Sequence, residues 1–259
     1  MDGLEELAGK YRAYVDGYRG PDGRLPDMMQ LKLTHTMMVV AAAKRIAKEE
    51  GFDERTARAC EAAALLHDTG RYEQLKLYNT FRDSDSVDHA VFSHDIVRDR
   101  GWLDGWEDRA AILNAVLYHN RREIPAECTD PLELAAARTV RDADKIDIFR
   151  VLEDQVEHAD WRHDSRAFWN LKTVSPPNPA VVSAIREGRP VDYQLITCLA
   201  DFVLIQVGWM VSGLEYATSR RICAERGHLD FRRRFMRELT DDPAVEELCD
   251  IAQRRLSAS

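Results

Sequence analysis

The chain has 259 residues, a formal net charge of −9, 45% hydrophobic residues and 31% charged residues. That balance suits a globular protein able to bury a sizeable core without disulfide staples. The surplus of negative charge repels phosphate backbones, which excludes general nucleic-acid binding while leaving room for a local basic pocket.

The N-terminus, MDGLEELAGKYRAYV, is acidic and amphipathic, unlike a signal peptide, and a first helix is expected at 3–17. Further helices are expected at 30–50 and 54–67, with Gly51 stopping one and Asp53 capping the next ahead of Thr56. The segment YEQLKLYNTFRDSDSVDHA after residue 71 reads as a long mixed loop, suited to substrate selection, in which Tyr72, Tyr78 and Phe81 pack more readily than they stack on a base. Helices follow at 86–100, 106–119 and 131–157, with Gly70, Gly101, Pro125 and Pro131 punctuating the breaks. TVSPPNPA, 173–180, forbids a helix and divides a core from a C-terminal helical extension, with helices at 179–187, 192–217, 219–238 and 243–256. Stretch 195–214 is the most apolar, yet it carries Asp201, Gln206 and two glycines, so nothing approaches the roughly 20 apolar residues of a membrane span. Trp209, Met210 and Leu214 there suit core completion better than the alternative, a homodimer face. The basic run FRRRFMREL, 231–239, reads as a solvated helix face. Cys60, Cys128, Cys198, Cys223 and Cys249 form no CxxC pair; with no secretory leader they point to reduced thiols and a cytoplasmic location. Strand signals are weak, and the fold class expected is all-α.

The eight histidines sort by helix face, since residues three, four and seven apart share one. His35 lies with Leu31, Met38, Ala42 and Ile46; His67 ends an Ala-Leu-Leu run; His89 lies with Phe92 and Ile96; His119 lies with Ile112, Ala115 and Val116. His94 also has an apolar side and competes with His89. His158, His163 and His228 sit among charges and read as solvated. Asp144 shares a face with Ala137, Val140, Ile148 and Val151, whereas Asp142 faces a mixed surface and reads as its exposed companion. Burying one unpaired carboxylate costs several kcal/mol. Several buried His and Asp residues on separate helices are easiest to reconcile if they share a cation, because neutral imidazole and carboxylate are ligands for zinc, manganese and iron. No GxxxxGK[ST], GxSxG, HExxH or GxGxxG motif is present.

The ordered set His35, LLHDTGR at 67–68, VDHA at 89, LYHN at 119 and RDADKID at 144 resembles the HD-domain metal-dependent phosphohydrolase superfamily, bacterial members above all. The resemblance covers residues 29–155. It implies an all-α HD-domain helical bundle, with residues 1–28 leading in and 156–259 as an extension packed on the core. It implies that His35, His67, Asp68 and Asp144 hold a metal, and that His89 and His119 match the extra histidines of two-metal members, with Asp68 bridging. The cofactor implied is a divalent metal, two ions drawn from Mn, Fe, Zn, Ni or Mg. Some nucleotide-cleaving members carry a Glu three residues after the Asp of the HD pair; here Arg71 stands there, which favours the two-metal arrangement. The expected activity is hydrolysis of a phosphomonoester or phosphodiester in a small phosphorylated, nucleotide-like molecule. Asp68, Arg71 and Lys145 are the catalytic candidates, and Arg71, Lys145 and Arg121 the substrate-binding ones. The alternatives are an HD-type di-iron oxygenase and a non-enzymatic metal- and ligand-binding regulatory protein.

Overall fold

The computed structural model describes residues 3–158, 160–162, 168 and 171–258. Helices dominate: α1 Gly3–Asp16, α2 Asp27–Glu49, α3 Glu54–Leu66, α4 Gly70–Tyr78, α5 His89–Asp99, α6 Arg109–Tyr118, α7 Pro131–His158, α8 Pro179–Arg186, α9 Leu199–Gly208, α10 Ala217–Glu225, α11 His228–Leu239 and α12 Ala244–Ser257. No strand forms among the described residues beyond one isolated bridge between Lys172 and Cys198. The all-α class holds. No described helix is long and apolar enough to cross a membrane.

The chain divides into two compact units, Met1–Asp144 and Lys145–Ser259, with the boundary inside α7. In the first unit α2 and α3 pack together, α3 packs on α1 and α6, and α5 packs on α4 and α6. The face of α2 that carries His35 buries Val39, Ala42, Ala43 and Ile46. The expected cap holds: the Asp53 carboxylate accepts the Thr56 N–H at 2.7 Å. Hydroxyls tie α1 inward, since Tyr11 lies 3.2 Å from the Thr36 hydroxyl on α2 and 3.1 Å from that of Tyr72 on α4.

Helix α4 corrects the expectation of a long loop. Gly70 does not end the ordered chain; it opens α4, where Gly70, Tyr72 and Gln74 are buried. Tyr72 packs as expected, while Tyr78 is exposed.

In the second unit the expected single helix at 192–217 is broken. A 3-10 turn at Tyr193–Leu195 precedes α9, a π-helical turn spans Trp209–Gly213, and Leu214 is extended. Asp201 supports the break by accepting the N–H groups of Asn178, Thr197 and Cys198. Met210 and Leu214 are buried in this unit's core. Two surface expectations fail there. His228 is buried, its Nδ1 2.7 Å from Glu153 Oε1. Arg232, from the basic run, is fully buried: it donates to Glu153, to Gln206 Oε1 and to the carbonyls of His228 and Phe149. His158 is exposed, as expected, and His163 lies outside the described residues.

Candidate metal centre

Five helix ends or faces deliver the donors. His35 projects from the buried face of α2. His67 continues α3 as its C-cap with right-handed helical dihedrals, and Asp68 follows it. The chain then bends, held by Thr69 N–H and hydroxyl bonds to the Leu66 carbonyl at 3.1 and 2.9 Å and by Arg71 N–H to Asp68 O at 3.0 Å. His89 opens α5, capped by Asp88, which accepts from Ala90 and Val91 N–H. His119 caps the C-terminus of α6, and Asp144 rides on α7. Gly70 permits the close approach of α5: a Cβ there would stand 2.7 Å from Ser93 N and 2.9 Å from His89 O.

The six residues converge in two triads, His35–His67–Asp144 and Asp68–His89–His119, each with its ligand atoms within 4.8 Å of one another. Asp68 joins them. Its Oδ2 lies 3.5 Å from both His35 Nε2 and His67 Nε2, and its Oδ1 lies 3.6 Å from His89 Nε2 and 3.9 Å from His119 Nε2. Asp144 Oδ1 is 3.0 Å from His35 Nε2 and 3.8 Å from His67 Nε2. Donors about 2.1 Å from a common ion at tetrahedral or octahedral angles stand roughly 3.0–3.4 Å apart, so these separations are of the right size.

The imidazole protons supply an independent test of fit. His67 Nδ1 is 2.8 Å from the Ala64 carbonyl, His119 Nδ1 is 2.7 Å from the Val116 carbonyl and His89 Nδ1 is 2.5 Å from Asp83 Oδ2. Each partner is an acceptor, so each Nδ1 carries the proton and each neutral ring turns its Nε2 lone pair inward. His89 Nε2 and His119 Nε2 then face each other at 3.0 Å, lone pair to lone pair. Two acceptors at that distance repel unless a cation lies among them, and a metal ligand whose other ring nitrogen is held by an acceptor is the arrangement divalent metals select. The donor set fits a divalent ion on each side of Asp68.

Electrostatics agree. Burial alone would raise both carboxyls; Lys32, His67 and Arg71 outweigh it at Asp68 and hold it well below the usual carboxylate range, and the His35 hydrogen bond lowers Asp144. Burial lowers His89 and His119 below the ordinary imidazole value, with Arg71 adding to the effect at His89 and the neighbouring imidazoles at His119. Ionised carboxylates and neutral imidazoles are the protonation states in which these groups ligate metals.

Residues 33–148 match the family model of the HD domain, and they contain all six converging residues. These residues identify an HD domain within the chain. No curated protein and no solved structure gives a significant match. HD domains bind divalent metals, and the presence of one suggests phosphohydrolase-type chemistry.

Within the HD domain the cluster includes His89 and not His94, which is partly exposed and meets Asp95 at 3.0 Å. It includes Asp144 and not Asp142, although the expected burial is reversed: Asp142 is 0% exposed and the Asp144 side chain 16%. Arg71 is close by but tethered. Its Nη1 donates to Gln74 Oε1, the Phe81 carbonyl and Asp83 Oδ1, and its Nε lies 3.4 Å from Asp68 Oδ1. Arg121 is 42% exposed and pairs with Asp88 at 3.1 Å. Lys145 falls in the second unit, where it donates to the Gly213 carbonyl at 2.9 Å.

Three residues escaped sequence reasoning. Asp83 fixes the His89 tautomer and, with Gln74, anchors the segment after α4. The third acidic group in the region, Asp83–Asp88–His89, is accounted for by that role and by Asp88 capping α5. Arg141 donates to the carbonyls of Tyr118, Arg121 and Arg122, clamping the turn that holds His119. Lys32 places its ammonium 2.6 Å from Asp68 Oδ2. It stands one turn before His35, the spacing that puts two side chains on one helix face, and this was the signal available in the sequence.

Proposed function

We propose that the chain is a metal-dependent phosphohydrolase that cleaves a phosphomonoester or phosphodiester of a small, nucleotide-like molecule, using two divalent cations. The observation that carries the reading is Asp68, whose two oxygens face two histidine pairs in which His67, His89 and His119 turn an Nε2 lone pair inward. Bound there, paired divalent ions lower the pKa of water toward neutrality and neutralise charge on phosphoryl oxygens. His35, His67 and Asp144 would hold one ion, His89 and His119 the other, and Asp68 both. Asp68 remains ionised at neutral pH and orients the site. Arg71 holds Asp68 and Asp83 in register more than it grips substrate, because its Nη1 is shared among three acceptors. Arg121, two residues past His119 and 42% exposed beside Asp88, remains the arginine candidate for an anionic ligand. In this reading Lys145, bonded to the Gly213 carbonyl, has a structural role within the second unit.

The test is a hydrolysis screen over phosphomonoesters, phosphodiesters and nucleotides with Mn, Fe, Zn, Ni and Mg. Wild type is expected to turn over at least one class, and Asp68→Ala to fall to background with its helix content retained by circular dichroism. Silence across the screen with metal bound contradicts the hydrolase reading. Oxygen consumption by the iron-loaded, anaerobically purified protein would then support the oxygenase, and ligand binding without turnover the regulatory protein.

A further inference from the structure

Lys32 carries an inference that rests on the hydrolase reading and extends it. Its ammonium donates to Asp68 Oδ2 at 2.6 Å, the oxygen that also faces His35 and His67. Among the described residues Asp68 is its hydrogen-bonding partner and Phe81 its aromatic neighbour, 5.5 Å from the ring centroid. The side chain is 17% exposed, against 3% for Asp68, so Lys32 is the more open partner of the pair. The other cations of the site differ: Arg71 is tied to three acceptors, and Arg121 pairs with Asp88, which is not one of the six converging residues.

An ammonium at contact distance from a carboxylate oxygen competes with a dication for that same oxygen, and the two cations repel each other in a poorly screened interior. A lysine has the flexible stem to leave; an arginine held by three acceptors does not. Once displaced, the ammonium needs an anion, and the substrate class proposed above supplies one. We propose that Lys32 is an exchangeable counter-ion: it neutralises Asp68 in the metal-free protein and binds the phosphate group of the substrate in the metal-loaded one. Two opposite effects follow from removing a single charge. Lys32→Gln should bind metal more tightly, having lost its competitor, and bind phosphate more weakly, having lost its cation.

The experiment measures manganese affinity by competition with a chelator, and then binding of inorganic phosphate to the manganese-loaded protein by calorimetry, for wild type, Lys32→Gln and Lys32→Arg. The expected result for Lys32→Gln is about tenfold tighter manganese binding and about tenfold or more weaker phosphate binding, with Lys32→Arg close to wild type for phosphate. A thermal melt of each loaded variant verifies folding, and the tighter metal binding is itself a gain that a misfolded protein would not show. Weaker manganese binding in Lys32→Gln overturns the competition. Unchanged phosphate affinity in Lys32→Gln, with wild type binding phosphate, overturns the anion role and leaves the hydrolase reading intact. Failure of the loaded wild type to bind phosphate overturns both.

Discussion

At the scale of single residues the centre depends on which nitrogen of each imidazole carries its proton. Asp83 decides this for His89, at 2.5 Å from Nδ1. Asp83→Ala should release the ring and weaken metal binding by about 10- to 100-fold, while Asp83→Asn, which keeps an acceptor, should lose less. The nitrogen-15 shifts of His89 would report the tautomer directly, and an unchanged tautomer and affinity in Asp83→Ala would contradict this role. Asp83 was not legible in the sequence because it lies six residues from His89 across a 3-10 turn, where no helical period connects them. His35, His67 and His119 were legible because each imidazole continues an apolar helix face. Asp142 was misjudged for a related reason: a face shared with Arg138 and Lys145 looks solvated, although the residue is buried.

At the scale of elements the approach of α5 to α4 places His89. Gly70 makes that contact, with the positions that a Cβ would crowd being backbone atoms of Ser93 and His89. Gly70→Ala should therefore push α5 outward, cost about 1–3 kcal/mol of stability by denaturant titration and weaken metal binding together with it. Gly9→Ala, in α1 with nothing within 4 Å of the added carbon, serves as the control and should gain about 0.5–1 kcal/mol from helix propensity. Equal effects at the two positions would contradict the packing argument. Helix α4 was missed because its glycine looked like a break and its nine residues carry little apolar periodicity. α3 was read almost to the residue, since a capping aspartate, an alanine run and a terminal His-Asp pair all mark it.

At the scale of the whole molecule, buried imidazoles couple stability to pH. His89, His119 and His228 all lie below the ordinary value of 6.5, each mainly through burial. The unfolded chain therefore binds protons on these groups before the native one does, and stability rises with pH through this region. The metal-stripped protein should lose stability as pH falls below about 6.5. Asp68, Asp83 and Asp144 are depressed carboxyls whose contribution is present above their ordinary value of 3.8 and is lost further down. Chemical denaturation midpoints across pH 4–8 measure this, and a midpoint flat from 7 to 5 would contradict it. The second unit shows where charge hides structure. Arg232 shares its face with His228, Phe235, Met236 and Leu239, all buried. The face test that found His35 finds Arg232 as well; the surrounding arginines obscured it.

Six side chains from five helices are expected to act together as one divalent-metal centre, with Asp68 shared between its two sides. Mass-spectrometric metal analysis of chelator-stripped and reconstituted protein tests it most directly, with wild type, Asp68→Ala, His35→Ala and His119→Ala measured side by side. Two ions per chain are expected in wild type, with one side lost in each histidine variant and both weakened in Asp68→Ala. Wild type that retains no divalent ion, or an Asp68→Ala variant that retains the full complement, would contradict it.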